Sequence, residues 1–184
     1  ITARRIAFAL ATYERTLIAD QTPFDRFNAG VPAGQPGSLT PQQAQGFQLF
    51  QVHRCNACHS PANGGMMTDF TFRNIGLRPP AEDLGRQNVT NNPADRGRFK
   101  VPSLRNVGLK RNFMHNGQFT TIQQVIDFYA RDPAAPPQNP DNRDPVMNAI
   151  VPFPPQDRAP VDDFIRNGLT DARVANRTFP FDEV

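Results

Sequence analysis

The stretch HRCNACHSP, residues 53 to 61, carries both cysteines of a 184-residue chain, two residues apart, with a histidine on either side. Thiols at that spacing cycle as a disulfide redox pair, supply half of a zinc site, or hold a haem. A thioredoxin-like redox site expects a βαβ setting, which the sequence does not offer. Zinc wants four ligands held tetrahedrally. His53, Cys55, Cys58 and His59 count to four, but Cys58 and His59 are sequence neighbours that would struggle to converge on one ion, and there is no second CxxC. Haem attachment asks for less: two thiols one helical turn apart add to the two vinyl groups of protoporphyrin, and the histidine that follows lies under the iron. CNACH supplies all three groups, so Cys55 and Cys58 are read as thioether anchors and His59 as the proximal iron ligand. The other ring N–H of His59 then needs a carbonyl acceptor, for which Pro61 is the nearby candidate. His53 is read as a solvent-exposed residue at a helix end.

The elements around this motif follow from periodicity and capping signals. Ile6, Leu10, Tyr13 and Leu17 recur at i, i+4, i+7 and i+11, one apolar face of a first helix. A second begins at Thr40 as N-cap, with Pro41 at the first helical position and Gln43 completing a capping box, and runs through Phe47 and Phe50 into the cysteines. A third covers about residues 120 to 131, with Ile122, Val125, Ile126 and Tyr129 on one stripe. The fourth is expected to start near Pro160, carry Val161, Phe164 and Ile165, and stop at Gly168. The stretch 22 to 39, with its prolines and glycines, reads as a linker. The connections 60 to 119 and 132 to 160, the latter with nine prolines, do not alternate as strands do. Loops of such length are functional or wrap around something. The expected fold is therefore all-α, a cytochrome c-like haem domain over residues 39 to 184 with long irregular loops. A helix and linker over residues 1 to 38 precede it, leading in from an adjoining domain.

Composition agrees with a core completed from outside the chain. The hydrophobic fraction is 38% and the mean hydropathy −0.54, with 15 phenylalanines and no tryptophan. A haem supplies the large apolar centre that such a chain lacks. The net charge of +3 is scattered, without the basic stripe that nucleic acid requires. No run approaches the roughly 20 apolar residues of a membrane span, and the amphipathic start ITARRIAFALATYERTL is not a signal peptide. The chain reads as soluble and already processed, or as a fragment that begins in mid-protein.

Residues 97 to 129, GRFKVPSLRNVGLKRNFMHNGQFTTIQQVIDFY, carry a further likeness. Together with CNACHSP, they resemble the C-terminal haem domain of the bacterial dihaem cytochrome c peroxidases and MauG-like enzymes. The matching phrases are FKVPSLRNV, FMHNG where the family often has HDG, and the helix TTIQQVIDFY. YERTLIADQTPFDRFNAG resembles the family's lead-in, and FIRNGLTDARVANRTFPFD its closing helix and tail. The resemblance implies two facing cytochrome c-like domains, one passing electrons from a small donor protein to the other, where peroxide is cleaved. This chain has one CxxCH, so the peroxide-binding haem domain lies outside it or the protein is a one-haem relative.

The resemblance also implies site residues. The sixth iron ligand falls fourteen positions after His115, a methionine in the peroxidases and a tyrosine in MauG-like members; that position here is Tyr129. Tyr129 also belongs to the apolar stripe of its helix and fits an ordinary core role. Met114 is the rival ligand, ahead of Met66 and Met67. His115 is implied at the haem edge or the inter-haem path as the catalytic candidate, and Gly117 serves the turn. Family calcium ligands, backbone carbonyls, correspond to Lys110 and Asn112. Arg98, Lys100 and above all Arg105 are candidate partners for haem propionates. Two functions remain open: half of a dihaem peroxidase or MauG-like oxidoreductase that uses hydrogen peroxide with a cytochrome, copper protein or protein substrate as partner, and a monohaem electron-transfer subunit. Both place the chain in the periplasm, where haem is joined to CxxCH.

Overall fold

The computed structural model describes residues 1–182. Seven α-helices follow one another: α1 (Ala3–Glu14), α2 (Pro23–Asn28), α3 (Pro41–Val52), α4 (Gln87–Thr90), α5 (Ile122–Ala130), α6 (Pro155–Asp163) and α7 (Ala172–Ala175). The strands β1 (Phe72–Arg73) and β2 (Phe99–Lys100) pair antiparallel, with Phe72 opposite Lys100 and Arg73 opposite Phe99. The fold is thus helix-rich with one small ladder, where the sequence pattern led to helices alone. Two residues per strand are too few to show alternation, so periodicity had nothing to register.

Capping decides where the helix before the cysteines and the third helix expected from periodicity begin. At α3, the Thr40 hydroxyl accepts from the Gln43 N–H at 3.2 Å, and the Gln43 side chain accepts from the Thr40 N–H at 3.0 Å. Thr121 and Gln124 form the same reciprocal pair at the start of α5. Each cap contributes about 1 kcal/mol by satisfying N–H groups that have no partner within the helix.

The stretch read as a linker holds α2, which has its own capping box from Thr22 and Asp25. Phe24 from this helix is buried, and its ring meets Phe47 at 5.0 Å and Phe164 at 5.8 Å. Phe50 joins the same aromatic cluster, 5.6 Å from Phe164. A six-residue helix whose sequence is half polar leaves no periodic stripe to read, and its one core residue is set by partners from α3 and the segment after α6. By contrast, the apolar face expected on α1 is real but unpacked: Ile6, Leu10 and Tyr13 are 52%, 58% and 49% exposed.

The closing helix starts at Pro155, five residues earlier than expected, and continues through Pro160. Proline in a helix interior removes one N–H from the ladder. Here Pro160 and Val161 lie on the face buried against α3, and packing outweighs the lost bond. The helix then widens into a π turn, Phe164–Gly168, which also ends where the glycine was expected to end it. α3 and α6 pack closely because Gly46 has no side chain: a Cβ built there overlaps the Pro160 carbonyl oxygen and presses on the Phe164 Cβ. Gly46→Ala should therefore force the helices apart and destabilise the protein by about 1–3 kcal/mol, the usual cost of overpacking, read from denaturant midpoints of the haem-loaded protein.

Candidate haem site

The cysteines follow α3 through a sharp reversal. His53 caps the helix, Arg54 takes a left-handed backbone with φ 63°, and Cys55–Ala57 form a single 3-10 turn. The His59 N–H donates to the Cys55 carbonyl at 3.0 Å, which closes the motif on itself. This turn brings Cys55, Cys58 and His59 to the wall of a cavity of about 470 Å³. Ile122, Val125, Ile126 and Tyr129 from α5 line it as well, with Val161 and Ile165 from the closing helix and Met114 and His115 from the loop before α5.

His59 Nδ1 donates to the Met67 carbonyl at 3.1 Å, so Met67 and not Pro61 fixes the ring. Met67 is fully buried with φ 53°, an unusual backbone for methionine that turns its carbonyl inward. Burial pushes the imidazole pKa down, partly opposed by the Met67 and Pro102 carbonyls, which keeps the ring neutral. With Nδ1 occupied, Nε2 is the nitrogen left for a metal. Both cysteines are free thiols. Burial pushes Cys55 up to about 12, and it raises Cys58 as well, with Arg73 opposing and Asp69 and Asp144 adding. Neither thiol ionises near neutrality, which disfavours dithiol exchange.

Tyr129 faces the same cavity, edge-on to Phe128 at 5.4 Å. Burial raises its phenol pKa, and the two thiols add to the effect. Met114, held at φ 70°, lines the cavity too, whereas Met66 and Met67 do not. His115 stacks on Phe99 with ring centres 3.6 Å apart and planes at 10°. Its pKa is lowered by burial, with Asp83 opposing. Lys110 and Asn112 also lie on the cavity wall. Gly117 adopts φ 70° in a loop closed by the Phe113 N–H donating to the Phe119 carbonyl at 2.8 Å.

The expected propionate partners fare differently. Arg105 lines the cavity, but its guanidinium pairs with Asp25 and donates to the Gly65 and Ala19 carbonyls. It ties α2 to the wall. Lys100 donates to the Val101 carbonyl at 3.1 Å and lies over the Phe70 ring. Arg98 is not on the wall, and its buried Nε has no partner among the described residues.

Sequence reasoning missed Arg73 and misread His53. Arg73, in β1, is on the cavity wall beside Cys58, binds Asp144 and Asp69, and keeps a buried Nε–H with no partner among the described residues. Its partner Asp144 is 71 positions away, so spacing carried no signal. His53 is 2% exposed rather than solvated, because its ring is taken up by the segment leading into α6. That orientation also breaks up the zinc set counted from the sequence, and no group of three or more His, Cys, Asp or Glu among the described residues is placed to hold a metal ion. The donor set fits haem: two protonated thiols, a neutral imidazole with Nε2 spare, a phenol on the cavity wall, and an arginine N–H free to donate to an acidic group.

These features define a c-type haem domain. No family model matches the sequence, but individual relatives do. Over 133 residues it is 35% identical to cytochrome c peroxidase Ccp of Escherichia coli strain K12, covering 68% of this chain and 27% of that protein. Cytochrome c551 peroxidase of Nitrosomonas europaea is 34% identical over 136 residues, covering 71% and 38%. Methylamine utilization protein MauG of Methylorubrum extorquens is 37% identical over 137 residues, covering 71% and 36%. Among solved structures, a MauG-like protein associated with microbial copper homeostasis superposes with a TM-score of 0.65 at 25% identity, over 83% of this chain and 49% of that one. The diheme peroxidase BthA of Burkholderia thailandensis gives 0.61 at 26% identity, over 83% and 47%. The chain belongs to the bacterial cytochrome c peroxidase and MauG family, and it spans between about a quarter and two fifths of these three curated relatives' own length.

Cys55→Ala should leave one thioether and Cys55→Ala/Cys58→Ala none. Haem staining after denaturing electrophoresis, retained in the first variant and lost in the second, checks this.

Proposed function

We propose that the chain is the C-terminal haem half of a dihaem c-type oxidoreductase, in which residues 39 to 184 hold one haem and residues 1 to 38 lead in from an N-terminal haem domain. The observation that carries this reading is a juxtaposition: Cys55, Cys58 and His59 share one cavity with Tyr129, the residue in the family's sixth-ligand register. The exposed apolar face of α1 supports an adjoining domain packed on that side.

When bound, the haem supplies reversible one-electron chemistry. The chain's own residues decide how it is used. Cys55 and Cys58 fix it covalently, and the Met67 carbonyl holds His59 in one tautomer. Tyr129 is a hard oxygen donor that favours oxidised iron and a low potential, where the thioether of Met114 would favour the reduced metal. The site is therefore built to store or pass on oxidising equivalents derived from hydrogen peroxide, and it is a poor high-potential relay. With His59 and Tyr129 as the two residues that would hold the iron, peroxide chemistry would fall to the companion haem. His115, stacked at the cavity edge, stands on the path between the two. The partners are that second haem domain or subunit and a small redox protein, cytochrome or copper-containing, or a protein substrate, in the periplasm. A calcium ion at the domain interface would take the carbonyls of Lys110 and Asn112.

Tyr129→Phe should change the ferric absorption and EPR spectra sharply, and Tyr129→Met should raise the midpoint potential. Unchanged spectra in Tyr129→Phe would return this residue to the core and favour the monohaem electron-transfer reading.

A further inference from the structure

His53 takes no part in the chemistry above, yet it is the most completely enclosed histidine of the three. It caps α3 two residues before Cys55, and its ring lies on that of Phe153 at 4.1 Å and 25°. Nδ1 is 3.1 Å from the Val151 carbonyl oxygen, and Nε2 is 2.9 Å from Asp157 Oδ2. Both partners are acceptors. A neutral imidazole has one N–H and can satisfy one of them, while a ring protonated on both nitrogens satisfies both. Asp157 sits in the first turn of α6, where the helix dipole favours an ionised carboxylate. Hydrogen-bond geometry thus calls for a charged His53–Asp157 pair. Through it the end of α3, the segment 151–153 and the start of α6 are joined, and Phe153 in that segment lines the haem cavity.

We propose that His53 and Asp157 form a charged clamp that positions the haem-attachment turn. With both ring protons in place each nitrogen donates to its own acceptor; without one, a nitrogen lone pair faces an oxygen. Asp157 is the one charged group paired with His53 among the described residues. The adjacent Arg158 turns to Asp127, Asp132 and the Phe153 carbonyl, and Arg54, next to His53 in sequence, is exposed. The inference rests on haem attachment at Cys55 and not on peroxide chemistry.

The test uses the haem-loaded protein, its thioethers first verified by the pyridine haemochrome spectrum so that failure of attachment is recognised separately. Nitrogen-15 NMR of the histidine rings at neutral pH should find both His53 nitrogens protonated. Asp157→Asn allows a neutral clamp, its amide N–H donating to Nε2 while Nδ1–H still reaches Val151, so the haem spectrum should persist with one ring nitrogen protonated. His53→Phe keeps the stack on Phe153 and removes both bonds; it should perturb the ferric spectrum. A neutral His53 ring in the native protein, or a ferric spectrum unchanged in His53→Phe, would overturn the proposal.

Discussion

The approach of α3 to α6, permitted by the bare backbone of Gly46 beneath the Pro160 carbonyl, is the contact from which the haem site is built. It brings Phe47 and Phe50 onto Phe164 and carries the end of α3 to the cavity wall. Two residues beyond that end the backbone reverses at Arg54, and the thiols and His59 follow on one short turn. If the helices separate, the attachment turn, the Phe153 segment and the aromatic cluster lose their common support. The long loops are tied down by bonds between distant positions, such as Thr68 to the Val101 carbonyl at 2.7 Å and Arg105 to Asp25 and Gly65.

Charge is organised so that the cavity stays apolar while its margins stay paired. Asp69 and Asp144 share Arg73, Asp25 is held low by Arg105 and Thr22 against the cost of its burial, and Asp127 and Asp132 share Arg158. Such pairs are valuable here for position more than for net stability, since desolvation offsets much of their attraction. The groups that face the cavity, Cys55, Cys58, His59 and Tyr129, are all biased by burial toward their neutral forms. A bound cationic metal would oppose that bias at the phenol and would take the neutral imidazole as it stands.

What the sequence made legible is what local chemistry decides. Thr40–Gln43 set the start of α3, the stripe from Ile122 to Tyr129 was visible as α5, and CNACH pointed to haem, the cofactor that similarity to cytochrome c peroxidases and MauG implies. A ligand role for Tyr129 is suggested only by family resemblance, because by periodicity alone it is one more core aromatic. The misses depend on distant partners. His53 is buried by Val151 and Asp157, 98 and 104 positions away, and the acceptor for His59 is a carbonyl, which carries no residue-type signature. Pro160 looked like a helix start because proline favours the first turn, yet the preceding Pro155 already occupies that place and packing carries the helix through.

The central claim, that this chain is one half of a two-haem unit, is tested most directly by counting haems per chain. Native material, purified with any companion domain or fragment retained, would be assayed for haem absorbance against quantitative amino-acid analysis. The account predicts two haems for each copy of this 184-residue sequence, one of them carried outside it. A ratio of one in native material would contradict it and make the chain a monohaem electron carrier.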